Sequence, residues 1–195
     1  MYTVDNVFST PIYSSMVDNL DEIQDEISSK LTMGLFQNLP EILETNLKTS
    51  NPNYFDGNVV DRLNLQSVKK MIHKHLEHYC KEIEFDLSSH DYDLSSWFFL
   101  MDAGVEGQLH TQGSADISGC YYFKTTGDDG SIFFETPAPA ASSSRCFSKY
   151  SSRKRYKPKI GKLLMFPGWL YHGIGTNKTH ENRISLAFNV NFRKK

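Results

Sequence analysis

The sequence predicts an α+β chain, mainly β, in which helices of the first half support an antiparallel barrel or jelly roll built by the second. Two observations predict it. Up to about residue 85 the apolar residues recur at steps of three and four, the spacing of one helix face. From about residue 94 they gather in short runs rich in aromatic and branched side chains, bounded by Gly, Asp, Pro or Ser as strands are. Helices followed by several short strands suit a barrel or jelly roll better than an alternating parallel sheet. A chain of 195 residues fits one domain over 1–195, with helical support about 15–85 and a β core about 94–193.

Taken in order, Leu20, Ile23, Ile27, Leu31 and Leu35 form the stripe of a first helix, with Asp18 or Asn19 as its cap. The segment from Asn51 to Gly57, with Pro52 and Asp56, is turn chemistry. Leu63, Val68, Met71, Ile72, Leu76 and Tyr79 mark a second helix, with Asp61 near its start. Strands follow at Trp97 to Met101, Ile117 to Phe123, Ile132 to Phe134, Leu163 to Phe166 and Ile184 to Phe192. Gly127-Asp128-Asp129-Gly130 reads as a hairpin turn. Residues 138–152 read as a long mobile loop rather than a strand pair.

Composition excludes more than it assigns. With 39% hydrophobic and 23% charged residues the chain has the balance of an ordinary soluble domain. No run reaches the roughly 18–20 apolar residues of a membrane helix, and the first residues lack a signal-peptide pattern, so a cytoplasmic protein without a membrane partner is expected. Cys80, Cys120 and Cys146 lack zinc-type spacing and read as reduced thiols. Residues 142–159 hold Arg145, Lys149, Arg153, Lys154, Arg155, Lys157 and Lys159 and no acid. That stretch reads first as a solvated loop beside a site, then as a lid or a face for an acidic partner. No nucleic-acid motif accompanies it, which makes nucleic acid the weaker partner.

The chemistry concentrates on His110, His172 and Arg183. Each histidine borders a predicted strand, and imidazoles from an early and a late strand suit Fe(II), which takes two His and one carboxylate on one face. Residues i and i+2 of a strand share a face, so His110-Thr111-Gln112 would supply the first ligand pair, with Gln112 where an acid is usual. Three readings stay open: Gln112 faces the metal, directly or through water; Asp116 folds back to it; or water completes the set. The first is favoured, and a halide in the acid's place is the least favoured because Gln is bulky. Arg183-Ile184-Ser185 sets a guanidinium and a hydroxyl on one face, a fit for a carboxylate, and Tyr122 is a candidate third donor. The alternative for Arg183 is an ion pair with Glu181, and for Tyr122 core packing. His73, His75, His78, His90 and His180 read as structural.

These residues carry a family resemblance. Val7-Phe8-Ser9-Thr10-Pro11-Ile12-Tyr13, Ser96-Trp97-Phe98, His110 with Ile117 to Tyr122, Gly161 to His172, and Asn182 to Asn189 resemble the 2-oxoglutarate/Fe(II) oxygenase family. That family is a branch of the double-stranded β-helix superfamily related to prolyl hydroxylases. The resemblance runs nearly end to end. It implies a double-stranded β-helix (jelly roll) with His110 and His172 as metal ligands and Arg183 on the co-substrate. It implies a dioxygenase that uses Fe(II), 2-oxoglutarate and O2 to hydroxylate a primary substrate, protein or small molecule, that the residues do not name. Gln112 departs from the superfamily's acid, although this branch often carries a His there. The rival expectation is a jelly-roll binding protein that has lost the carboxylate iron ligand.

Overall fold

Strand β11 (Arg183–Lys194) runs between β6 (Ile117–Lys124) and β4 (His90–Met101), antiparallel to both. Around that centre the larger sheet runs β1 (Tyr13–Met16), β9 (Lys162–Pro167), β6, β11, β4, β3 (Lys48–Thr49) and β2 (Gln37–Asn38). The smaller sheet runs β5 (Gly107–His110), β10 (His172–Ile174), β7 (Ile132–Phe134) and β8 (Lys154–Tyr156). This computed structural model describes residues 2–3, 8–39, 47–51, 57–147 and 153–195.

The period of two along β11 assigns its faces. Ile184, Leu186, Phe188 and Val190 join the core shared with Ile23 and Ile27 of α1 (Leu20–Lys30) and with Val68, Ile72, Leu76 and Tyr79 of α3 (Gln66–Glu82). The opposite face carries Arg183, Ser185, Ala187 and Asn189. A second apolar cluster of Tyr122, Ile132, Phe134, Leu164, Phe166 and Leu170 joins β6 and β9 of the larger sheet to β7 of the smaller one. Two antiparallel sheets backed by N-terminal helices make the α+β jelly roll that the sequence predicts.

Several local expectations change. The first helix stops at Lys30, and Met33–Leu35 is a separate 3-10 turn because Leu31 is extended. Asn19 holds the cap position without capping, since its side-chain amide donates to Glu22 at 3.0 Å. Asp61 lies inside a short helix α2 (Val59–Arg62), where Asn58 is the cap that accepts the Asp61 N–H. The segment Gly127–Gly130 links β6 to β7, which belong to different sheets, so it is a crossing and not a hairpin. Positive φ at Gly127 and Gly130 and the Asp129 carboxylate, which accepts from Thr125 and Thr126, hold that crossing.

The stretch 138–152 is not wholly loop: Pro139–Ser143 is a 3-10 turn. Just beyond it, Lys154–Tyr156 is strand β8. Its cations have a reason to lie there, because the Arg153 and Arg155 guanidinium carbons sit 4.6 and 5.1 Å from the Phe133 ring centre. Residues 148–152, 52–56 of the turn from Asn51 to Gly57, and Val7 of the resembling N-terminal block lie outside the described residues.

Gly119 shows how tightly β6 packs on its neighbour. A Cβ there would stand 2.1 Å from the Phe188 ring, in the middle of the core. Gly119→Ala should therefore lower unfolding free energy by about 1–3 kcal/mol, read as an earlier urea midpoint with unchanged slope. An unchanged midpoint would mean that Phe188 has room to move.

Candidate functional site

His110 and His172 face each other across the β5–β10 ladder, with ring centres 4.4 Å apart. Each imidazole Nδ1 lies 2.8 Å from a backbone carbonyl two residues earlier, Gln108 for His110 and Leu170 for His172. A carbonyl only accepts, so both rings hold their proton on Nδ1 and leave a lone pair on Nε2. Phe166 and Phe134 wall His172, with ring centres 4.7 and 6.1 Å away. That burial pushes the His172 pKa down to about 4, and neighbouring His110 adds to the effect.

Gln112 stands beside this pair, held by its N–H to the Gly168 carbonyl at 2.9 Å. Its side-chain Nε2 lies 2.9 Å from His110 Nε2, and its Oε1 accepts from Asn189 Nδ2 at 3.3 Å. Asp116 does not fold back to the histidines: its Oδ2 accepts the Phe192 N–H at 2.7 Å and so fastens the end of β11. Among the described residues no three of His, Cys, Asp and Glu gather in the manner of a metal site. Fe(II) does not fit these side chains as they are arranged. Two imidazole donors are present, but the third position presents an amide N–H, and an N–H cannot coordinate.

Arg183 is 1% exposed. Its Nη1 donates to the Gly130 carbonyl at 2.7 Å, and its guanidinium carbon lies 5.6 Å from the Tyr122 ring centre. Its Nε has no hydrogen-bond partner among the described residues, and no Arg183–Glu181 ion pair forms, since Glu181 reaches Lys124 instead. Ser185 and Tyr122 are opposed in the β11–β6 register and both are buried. Of the two neighbouring tyrosines it is Tyr122 that turns toward Arg183, while Tyr121 packs into the helix-facing core. Burial holds the Tyr122 hydroxyl protonated far above its usual range. A buried cation with one carbonyl and an aromatic face for company fits a carboxylate ligand. The donor set therefore suits 2-oxoglutarate.

Two residues of this interior escaped sequence reasoning. Cys120 lies between Ser118 and Tyr122 on the same face of β6, with its thiol pKa raised by burial. Asn189 lies at the same face of β11 as Arg183 and Ser185, six residues on. Alternation from Arg183 and from Tyr122 was the signal that points to both. The remaining histidines described by contacts are structural: His75 meets the Tyr13 hydroxyl at 2.7 Å, His73 stacks on Tyr92, and His90 packs on Phe85.

Residues 95–189 match the family described as "Putative 2OG-Fe(II) oxygenase". The match to that oxygenase family spans just under half of the chain. Its fold is similar to that of a Pseudomonas putida prolyl-4-hydroxylase, 14% identical, covering 96% of this chain and 94% of that one with a TM-score of 0.59. The viral collagen prolyl hydroxylase of Paramecium Bursaria Chlorella virus-1 is 13% identical, covering 92% and 94%, with a TM-score of 0.56. The epimerase SnoN of nogalamycin biosynthesis is 12% identical, covering 93% and 78%, with a TM-score of 0.57. No curated protein matches the sequence. Among the described residues no helix is long and apolar enough to cross a membrane.

Within this fold the buried His172 makes stability depend on pH. Its folded pKa of about 4 lies below the unfolded value of about 6.5. Between those values the unfolded chain takes up a proton that the folded chain refuses, so the folded state loses ground as pH falls. The contribution is complete above about pH 6.5 and declines by about 3 kcal/mol as pH drops toward 4. Urea unfolding at stepped pH should show this decline, and His172→Leu should flatten it, while His75, also pushed down by burial, keeps its own share. Equal pH slopes in both proteins would contradict the assignment.

Proposed function

We propose that this chain is a jelly-roll binding protein of the oxygenase superfamily that holds 2-oxoglutarate, or a dicarboxylate of that kind, and has lost the carboxylate iron ligand. One observation carries the reading: Arg183 is buried, its Nε lacks a partner among the described residues, and its guanidinium faces the buried Tyr122 ring, which Ser185 opposes in the β11–β6 register. The guanidinium would clamp the far carboxylate of the acid. The Ser185 and Tyr122 hydroxyls would donate beside it. Gln112 in the acid's position supports the loss of metal chemistry, because an amide offers neither the charge nor, as it is turned, the donor atom.

A second reading is an Fe(II)- and 2-oxoglutarate-dependent dioxygenase that uses O2 to hydroxylate an unidentified substrate. The histidine pair favours it, since both Nδ1 atoms are tied to carbonyls and both rings therefore turn an Nε2 lone pair to one place, that of His110 meeting Gln112 there. Iron, when bound there, would supply the oxygen chemistry, and His110 and His172 would hold it.

Calorimetric titration with 2-oxoglutarate in the presence of chelator tests the main reading. The unmodified protein should bind, and Arg183→Ala should weaken binding by about 100-fold or more. Equal binding in the two proteins would sink it. Anaerobic Fe(II) titration with 2-oxoglutarate separates the two readings. A visible charge-transfer band that disappears in His172→Ala selects the dioxygenase, and no band at saturating metal selects the binding protein. Gln112→Asp should raise Fe(II) affinity and start conversion of 2-oxoglutarate to succinate. Unchanged affinity would remove residue 112 from the metal position.

A further inference from the structure

The polar groups around Gln112 form a directional chain. Ser118 Oγ donates to Asn189 Oδ1 at 2.8 Å, and Asn189 Nδ2 donates to Gln112 Oε1 at 3.3 Å. Gln112 Nε2 then meets His110 Nε2 at 2.9 Å, and His110 Nδ1 donates to the Gln108 carbonyl at 2.8 Å. The last link fixes the sense of the others. The Gln108 carbonyl requires the His110 proton on Nδ1, so Nε2 is an acceptor and Gln112 must offer its NH2. Turning the Gln112 amide over would set acceptor against acceptor at His110 and amide donor against amide donor at Asn189. Each donor in the chain has an acceptor, and the lone pair consumed at the end is the one a metal would need.

We propose that Asn189 is a positioning residue that, acting through Gln112, keeps the Nε2 lone pair of His110 closed and so makes the histidine pair discriminate against divalent cations. The inference rests on reading His110 and His172 as the metal position of the fold, and it does not depend on whether Arg183 binds a dicarboxylate. Asn189 is well suited to the task. It is opposed to Ser118 in the β11–β6 register, and the buried Ser118 hydroxyl orients it from the neighbouring strand. Gln112 is itself pinned at its backbone to Gly168, so its side chain has a fixed point from which to reach His110.

The lock predicts the sign of a substitution effect. If Gln112 were a ligand through Oε1, removing it would weaken metal binding. If Gln112 is a cap, removing it or its anchor frees a donor and tightens binding. The experiment is isothermal titration of the full chain with Ni2+ alone, without 2-oxoglutarate, in the unmodified protein and in Gln112→Ala and Asn189→Ala. Both variants should bind Ni2+ about five- to tenfold more tightly, the effect of releasing one hydrogen bond at the donor atom. The gain should vanish when His172→Ala is added to either.

Gln112 lies in a partly exposed turn, so its variant tests the lock even where the Asn189 variant on β11 loses stability. Loss of packing alone would weaken binding and could not produce a tightening that depends on His172. Weaker Ni2+ binding by Gln112→Ala, an affinity in both variants unchanged from the unmodified protein, or a gain that survives His172→Ala would each overturn the proposal. Failure of 2-oxoglutarate to bind at Arg183 would overturn the dicarboxylate reading and leave this one standing.

Discussion

Strand β11 serves two solvents with a period of two, and the interior follows from that alternation. Ladders to β4 and β6 hold it from both sides, so its register cannot slip without breaking both. A slip by one residue would turn Ile184, Leu186, Phe188 and Val190 toward the polar interior and bury Arg183, Ser185 and Asn189 among the helices. The close approach of Gly119 to the Phe188 ring pins the same register sterically. One ladder pair thus places the cation, the hydroxyl and the amide of the site in a single stripe, and the apolar stripe behind it holds the helices.

The two sheets then divide the chemistry. The larger one contributes Arg183, Ser185, Tyr122, Cys120 and Asn189, and the smaller one contributes the histidines through the β5–β10 pairing. Electrostatics separate the groups as well. Burial keeps His172 neutral near pH 7, and Tyr122 and Cys120 keep their protons for the same reason. Arg183 places a positive charge in this part of the interior. A ligand carrying negative charge is the response that such an imbalance asks for.

How much of this was legible in the sequence depends on the range of the interactions involved. Aromatic and branched runs at Trp97, Ile117, Leu163 and Ile184 found strands of the larger sheet because their burial leaves a local pattern. Strands β5, β8 and β10 carry short or charged stretches and are held by pairing, which leaves little local pattern to read. The turn at Gly127–Gly130 has hairpin composition, yet only the partners of β7 reveal that the chain changes sheet there. In the candidate site, spacing and resemblance single out His110, His172, Gln112, Arg183 and Tyr122 as candidates. The second-rank residues Asn189 and Cys120 needed alternation to be counted outward from Arg183 and Tyr122. The orientation of the Gln112 amide was beyond any pattern, because it is set by the His110 tautomer on one side and by Asn189 of β11 on the other.

The step from an acid to Gln at position 112 changes more than charge. A carboxylate there has only acceptor oxygens, so it cannot donate to His110 Nε2 and leaves that lone pair free for a metal. An amide carries a donor on one side and an acceptor on the other, and the surroundings supply a partner for each: His110 Nε2 for the donor and Asn189 Nδ2 for the acceptor. The charge difference acts in the same direction. A divalent ion held by neutral imidazoles and an amide, together with the buried guanidinium, would leave more positive than negative charge among these groups even with a dicarboxylate bound. An acid at position 112 restores that balance, and Gln112 removes it while also closing the donor atom. In the proposed reading the same substitution that discards the third ligand therefore satisfies the second, and the histidine pair becomes self-contained without a metal.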